Sequence, residues 1–276
     1  NPGALLADPN QVWYPYDEAD TQYLFLFQEG SGATAYDSSG YGRHCSINPT
    51  VVWTTAKFGT GLRFNRANNG DSPSLTCGSA VLPSFTIEFW FRPDADGDGR
   101  IAGQIKQGVG PNWLLNLFEG KLRLDVWPCT TCGSSEVRSN ANLRQAPYVG
   151  VWNHVAVSFN GGNEVRFYIN GALDSVKVLN QTGLTQYDIP LEIGSVEGIG
   201  QLKDSLGAFR ISSGVKTSFA YGPFGAITGE PSAVVGSVVN RPVSGTPDLQ
   251  VLSLTAYPNP SGGILAEAVL RNAGTL

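Results

Sequence analysis

The segment VWNHVAVSFNGGNEVRFYINGAL, residues 151 to 173, holds two alternating apolar runs separated by FNGGNE and then a further turn at Asn170-Gly171. In the first run Val155 and Val157 alternate with His154, Ala156 and Ser158. In the second, Val165, Phe167 and Ile169 fall on one face and Arg166, Tyr168 and Asn170 on the other. Side chains of a strand point to opposite faces in turn, so this pattern predicts a β-hairpin with one packed face. The same period runs through SFTIEFWFRPD, where Phe85, Ile87, Phe89 and Phe91 oppose Thr86, Glu88, Trp90 and Arg92. LLNLFEGKLRLDVW reads as another hairpin turning at Glu119-Gly120, with Leu115, Leu117, Leu122, Leu124 and Val126 apolar and the register between its arms left open.

Composition sharpens the picture. With 34 glycines and 17 prolines in 276 residues, and no run with a convincing period of 3.6, the chain fits an antiparallel all-β domain better than a βαβ unit. Its length allows one sandwich of about 200 residues and an appendage. The expected division is an N-terminal segment over 1–20, a sandwich over 21–222, and an extended C-terminal arm over 223–276 with a strand at 249–257.

The ordered motifs resemble the laminin G-like members of the concanavalin A-like jelly-roll family. YLFLFQEGSGATAYDSSGYGRHCSI, residues 23–47, is similar to the family's first strand and its D-S-S-G loop, carried by Asp37, Ser38, Ser39 and Gly40. The resemblance continues through 58–65, 85–94, 152–173 and 191–195, and ends at KDSLGAFRISSGV, where Ser205 and Leu206 stand at positions at which the family commonly has an acid. It implies an all-β, antiparallel two-sheet jelly-roll sandwich with extended terminal arms. His154 matches the family's recurrent tryptophan-x-histidine position, which implies a structural hydrogen bond.

Fold alone does not assign function, because lectins, adhesion modules and glycoside hydrolases share it. Retaining hydrolysis needs two carboxylates about 5 Å apart. Glu88, Asp125 and Glu164 each stand alone in the sequence, so no enzyme is expected. His44 and His154, the only histidines, sit in no recognisable nucleophile motif. The reading is a noncatalytic extracellular module that binds a glycan or glycoprotein, with Trp113 and Trp127 near loops as ligand-stacking candidates. Trp13, Tyr14 and Tyr16 read as rings pinning a terminal segment. Trp90 and Trp152, inside regular strands, read as packed.

Asp94, Asp96 and Asp98 before Gly99 imitate the start of a calcium loop, with hard oxygen donors at alternate positions. The twelfth position is Ile105 rather than glutamate, so a solvated acidic turn competes with calcium. A second calcium locus would draw on Glu29 and Asp37.

Cys45, Cys77, Cys129 and Cys132 point to oxidising surroundings and to one long and one tight disulfide, with Cys45 and Cys77 expected in loops. The chain starts at Asn1 and contains no methionine, and is read as a mature secreted product. No apolar run is long enough to span a bilayer as a helix. A net charge of −5 without a basic cluster removes the electrostatic basis for nucleic-acid binding. Asn180-Gln181-Thr182 is a glycosylation sequon.

Beyond Tyr221 the chain becomes poor in charge and rich in Gly, Pro, Ser and Val, as an extended arm would be. An arm laid on a neighbouring subunit would make self-association through 223–276 and a structural subunit of a surface filament, sheath or virion the alternative function. YPNPSGG, Tyr257 to Gly263, also resembles the start of the C-terminal sorting domain of exported Bacteroidetes proteins.

Overall fold

A computed structural model describes residues 20–65, 72–94 and 97–219, together with two strands spanning 249–258 and 264–272. In chain order the strands are β1 (Thr21–Phe25), β2 (Thr34–Ala35), β3 (Cys45–Ile47), β4 (Val51–Thr55), β5 (Thr60–Phe64), β6 (Leu75–Ser79), β7 (Phe85–Arg92), β8 (Gly99–Lys106) and β9 (Gly110–Phe118). They continue as β10 (Lys121–Val126), β11 (Ser135–Arg138), β12 (Asn153–Phe159), β13 (Glu164–Ile169), β14 (Ala172–Val178), β15 (Pro190–Ile193), β16 (Ser205–Ser213), β17 (Leu249–Pro258) and β18 (Ile264–Asn272). No helix occurs among the described residues.

Two antiparallel sheets form a jelly-roll sandwich. The first runs β14-β13-β12-β7-β16-β5-β4, with β1 also on β16; the second runs β11-β10-β9-β8-β15-β6-β3-β2. The predicted hairpins are present. Val155, Val157 and Phe159 lie opposite Ile169, Phe167 and Val165, and Asn170-Gly171 turns β13 into β14 with φ of 52° and 78°. Two successive positive φ values match the right-handed twist of a tight hairpin, which explains asparagine and glycine there. The β9–β10 hairpin turns at Glu119-Gly120 and settles the register: Leu122 opposes Leu117 and Leu124 opposes Leu115.

The core fills the space between the sheets. Phe85, Phe89, Phe91, Phe159, Phe167 and Phe209 are fully buried, and Phe89 stacks on Phe209 with centroids 5.6 Å apart. Strand β7 is packed on its inner face against the core. Its second face is covered as well, so Thr86 and Glu88 are as buried as their apolar neighbours. The polar alternation in β7 therefore encodes a hydrogen-bonded layer rather than a wet surface.

That layer centres on Glu88 and Arg210, whose guanidinium Nε and Nη2 both meet Glu88 Oε1. His154 Nε2 lies 3.6 Å from Glu88 Oε2, its backbone N–H donates to Asn170 Oδ1 at 2.9 Å, and Trp90 and Phe219 pack on its ring. The imidazole is fully buried in this layer.

Strand β16 is shared. Its first residues, Ser205 and Leu206, pair with β5, while Phe209 to Ser212 pair with β1, so that Thr21 faces Ser212 and Phe25 faces Phe209. The first and last strands of the sandwich are thus antiparallel neighbours, and the Ser213 N–H donates to the Asp20 carbonyl at 2.8 Å.

Both disulfides form, Cys45–Cys77 and Cys129–Cys132. The first corrects an expectation: its cysteines occupy adjacent strands β3 and β6 in direct register rather than loops. The cross-strand Cα separation, 3.9 Å, is short enough for the sulfurs to meet.

Residues 233–276 separate as a second unit, in which β17 and β18 pair along their length from Leu249↔Asn272 to Pro258↔Ile264. The strand expected at 249–257 is present as β17, and the apolar segment after it forms a second strand, β18. The Trp13, Tyr14 and Tyr16 cluster and the arm between 223 and 248 lie outside the described residues.

Candidate functional site

On β10, Leu122, Leu124 and Val126 point into the core, so Arg123 and Asp125 must point out. On β9, Trp113, Leu115 and Leu117 point in, and Leu114 and Asn116 point out. Register then builds two lateral rows on the outer face of the second sheet. One row runs Arg100, Asn116, Arg123 and Arg138 across β8, β9, β10 and β11; its neighbour runs Glu192, Gly103, Leu114, Asp125 and Glu136 from β15 across to β11. A basic row beside an acidic row allows neighbours to pair.

The pairing is tight. Asn116 Nδ2 donates to Asp125 Oδ2 at 2.5 Å, and Arg123 Nε donates to the same oxygen at 3.0 Å. Arg123 Nη1 and Arg138 Nη2 hold Glu136 at 3.3 and 3.1 Å, and both guanidinium groups lie over the Phe118 ring. Arg100 Nη1 donates to the Val196 carbonyl at 2.7 Å. Burial pushes the Asp125 carboxyl up to about 6, against the opposing pull of Arg123, with the Glu136 charge adding to the rise. Burial likewise raises Glu192.

Arg100, Leu114, Arg123 and Asp125 floor a groove of about 540 Å³, lined also by Trp127, Glu197 and Ile199. Trp127 follows Asp125 on the same parity and is half-buried; its N–H donates to the Asn112 carbonyl at 3.0 Å and its carbonyl accepts from Thr185 N–H at 2.7 Å. The indole is thus presented from a fixed backbone. The Asp125 side chain is 2% exposed at the groove floor, with Asn116 and Arg123 on Oδ2 and the Glu136 side chain interacting with it as well.

Of the two tryptophans expected to bind, the structure puts only Trp127 in the groove. Trp113 is 1% exposed, its Nε1 donates to Gln104 Oε1 at 2.9 Å, and its ring packs on Phe85. It shares the parity of Leu115 and Leu117, which turns it into the core and removes it as a stacking platform.

Two acids of the acidic turn are engaged within the protein. Asp94 is engaged by Arg63, which holds its carboxyl below the usual carboxylate range, and Asp98 accepts from the Glu119 and Gly120 N–H groups at 2.7 and 3.2 Å. Asp96 lies outside the described residues. The second locus is committed too: Asp37 takes four hydrogen bonds, from Leu24, Ser39 and Arg43 N–H and Ser39 Oγ, and Glu29 Oε1 accepts from Tyr36 N–H. Asp37 is the keystone of the D-S-S-G loop, and His44 Nδ1 accepts its N–H at 2.9 Å. No cluster of three metal-ligating side chains occurs among the described residues. Asn180 is exposed after β14, with its Oδ1 accepting from Ser135 Oγ.

Sequence reading missed Asn116, Arg100 and Arg123 as partners of Asp125. The alternation in LRLDV places Arg123 and Asp125 together, but Asn116 enters only through register. It also missed Asp204, fully buried one residue before Ser205, which ties Arg144 and the Asp94 N–H together.

Residues 66–217 match the family model described as the concanavalin A-like lectin/glucanases superfamily. No curated protein sequence matches the chain. Among solved structures, the binding domain of Paraclostridial mosquitocidal protein 1 is similar with a TM-score of 0.57 at 15% identity, over 72% of this chain and 50% of that one. The botulinum neurotoxin serotype G binding domain gives 0.56 at 15% identity over 71% and 48%. The binding domain of botulinum neurotoxin DC, solved with rat synaptotagmin II, gives 0.56 at 14% over 72% and 49%. This chain spans about half the length of these structures, and at such identities the likeness carries the fold. The family match ends at residue 217, so the Tyr257–Gly263 resemblance gains nothing from it.

Proposed function

We propose, from the premise that this chain belongs to the concanavalin A-like lectin/glucanases superfamily, that it is a noncatalytic module which binds a glycan or glycoprotein outside the cell. The observation that carries this reading is the convergence of Arg100, Arg123 and the half-buried Trp127 over Asp125 in one groove. A carboxylate accepts from sugar hydroxyls, arginine donates to ring and hydroxyl oxygens, and an indole covers the apolar face of a pyranose. The binding-domain relatives in solved structures support the class of activity, and the two disulfides support an oxidising compartment.

Two carboxylates line the groove, and neither is arranged for glycoside hydrolysis. Asp125 Oδ2 is held by Asn116 and Arg123, while Glu197 is held by the Gln107 N–H at 3.2 Å and by Lys106 at 3.4 Å. Glu88, on β7, is sealed behind Arg210.

The experiment is a glycan screen followed by calorimetry on the strongest hit. Trp127→Ala should weaken binding about tenfold, the worth of one stacked ring at about 1.4 kcal/mol. Because Asp125 titrates at about 6, affinity for a hydroxyl-bearing ligand should rise with pH through that value and then level off, and Asp125→Asn should flatten the profile. Unchanged affinity in both variants would remove the groove as the site.

A second reading rests on the β17–β18 hairpin. Two strands alone are marginally stable in water, so this unit calls for a further surface, and a neighbouring subunit would supply one. Light scattering should then show the intact chain as an oligomer and the chain lacking 223–276 as a monomer. A full-length monomer would rule the structural-subunit reading out.

A further inference from the structure

A cleft of about 630 Å³ opens on the first sheet, away from the residues of the groove, and is lined by Lys57, Arg92, Tyr148, Val151, Trp152 and Asn153 among others. Its volume falls within the range of roughly 300–1,000 Å³ usual for small-molecule sites. None of its described lining residues is acidic, and neither Lys57 nor Arg92 forms an ion pair among the described residues. In a chain of net charge −5, two cations facing one concavity with no acid in its lining raise the positive potential there, against the charge of Asp94 two residues beyond Arg92 and with Lys57 Nζ 5.7 Å from the Trp90 ring centroid.

The walls are built in advance. Asn153 Nδ2 donates to the Tyr148 and Val151 carbonyls, each at 2.9 Å, and Asn170 Nδ2 donates to Asn153 Oδ1 at 3.1 Å. The Gly150 N–H donates to the Pro93 carbonyl at 2.8 Å, and Arg92 Nε donates to the Gly150 carbonyl at 2.9 Å. That last bond fixes the guanidinium and leaves its two Nη groups to fork around a carboxylate. Trp152 packs with Phe58 against Trp90, which makes its ring a firm platform. A preformed site spends little binding energy on ordering itself.

We propose that this cleft is a second binding site, independent of the groove, for a saccharide bearing a carboxylate. Lys57 and Arg92 take the acid and Trp152 takes the ring face. An acidic peptide fits less well, because the Tyr148, Gly150 and Val151 backbone groups that would pair with it are already used within the wall.

The test is calorimetry of the full chain with trigalacturonate and with its methyl ester. The acid should bind, more tightly at low salt, and the ester should bind at least tenfold more weakly, the loss expected when a charge-assisted contact goes. Lys57→Gln with Arg92→Gln should give a similar loss. Val151→Glu, at a half-exposed lining position, should abolish binding and serves if the double variant fails to fold. Asp125→Asn should leave the affinity for the acid unchanged.

Equal binding of acid and ester, no binding of the acid at millimolar concentration, or indifference to both cleft variants would overturn the proposal. So would hexaglutamate competing as well as the sugar acid, which would reassign the cleft to acidic peptides. If Asp125→Asn alone abolished binding, the sugar acid would belong to the groove, and the proposed function would survive while the second site would not.

Discussion

Arg210→Leu is expected to lower the unfolding free energy by about 3–5 kcal/mol, the cost of stranding a buried charge. The Glu88 side chain is 0% exposed, and Arg210 supplies two of its contacts through one oxygen. With the guanidinium gone, the carboxylate must stay charged in a dry site or take up a proton. The second escape predicts the pH dependence. A raised folded-state pKa favours the folded state below the unfolded value and loses that advantage as pH rises through the folded value. The deficit of the variant should therefore be largest near neutrality and shrink toward pH 4. Glu88→Leu combined with Arg210→Leu removes both charges and should recover most of the loss, because a buried pair offsets little more than its own desolvation. Urea unfolding of the three proteins at two pH values decides it. A double variant as unstable as the single would mean that the pair itself, rather than the orphaned charge, supplies the stability.

The second large effect concerns the disulfides, which should contribute unequally. Cys45–Cys77 closes a loop with a sequence separation of 32, and Cys129–Cys132 one with a separation of 3. Restricting the unfolded chain is worth about 4 kcal/mol for the first loop and about 2 kcal/mol for the second. Replacing Cys45 and Cys77 by alanine should thus shift the urea midpoint roughly twice as far as replacing Cys129 and Cys132. Equal shifts would show that native packing around the buried Cys45–Cys77 pair, not loop closure, sets the contribution.

The strands were readable wherever apolar residues alternate along the chain, as in β9, β10, β12 and β13, even though both faces of β12 are covered. Trp113, expected at a binding rim, shares the phase of Leu115 and Leu117, which is the signal that turns it inward. Proximity to a loop was the weaker signal and pointed the other way. What the sequence withheld is lateral. Asn116 meets Asp125 across a strand boundary, and pairing register is a property of two segments and the turn that joins them. The covered second face of β7 was only partly legible: Trp90 reads as packed, but Thr86 and Glu88 beside it carry no sign of the layer that buries them. The acidic turn shows the converse. Asp94 and Asp98 carry ligand chemistry in their spacing, yet Arg63 and the β9–β10 turn claim them first.

The pairing of β1 with the end of β16 has a consequence for architecture at a larger scale. Since Thr21 and Ser212 are cross-strand partners, polypeptide enters and leaves this sandwich at a single corner. A block with both tethers side by side can be spliced into a host loop as a cassette without prying the host apart. Repeated along one polypeptide, such blocks would stand out from the thread like pennants on a line, each with the face opposite its corner free.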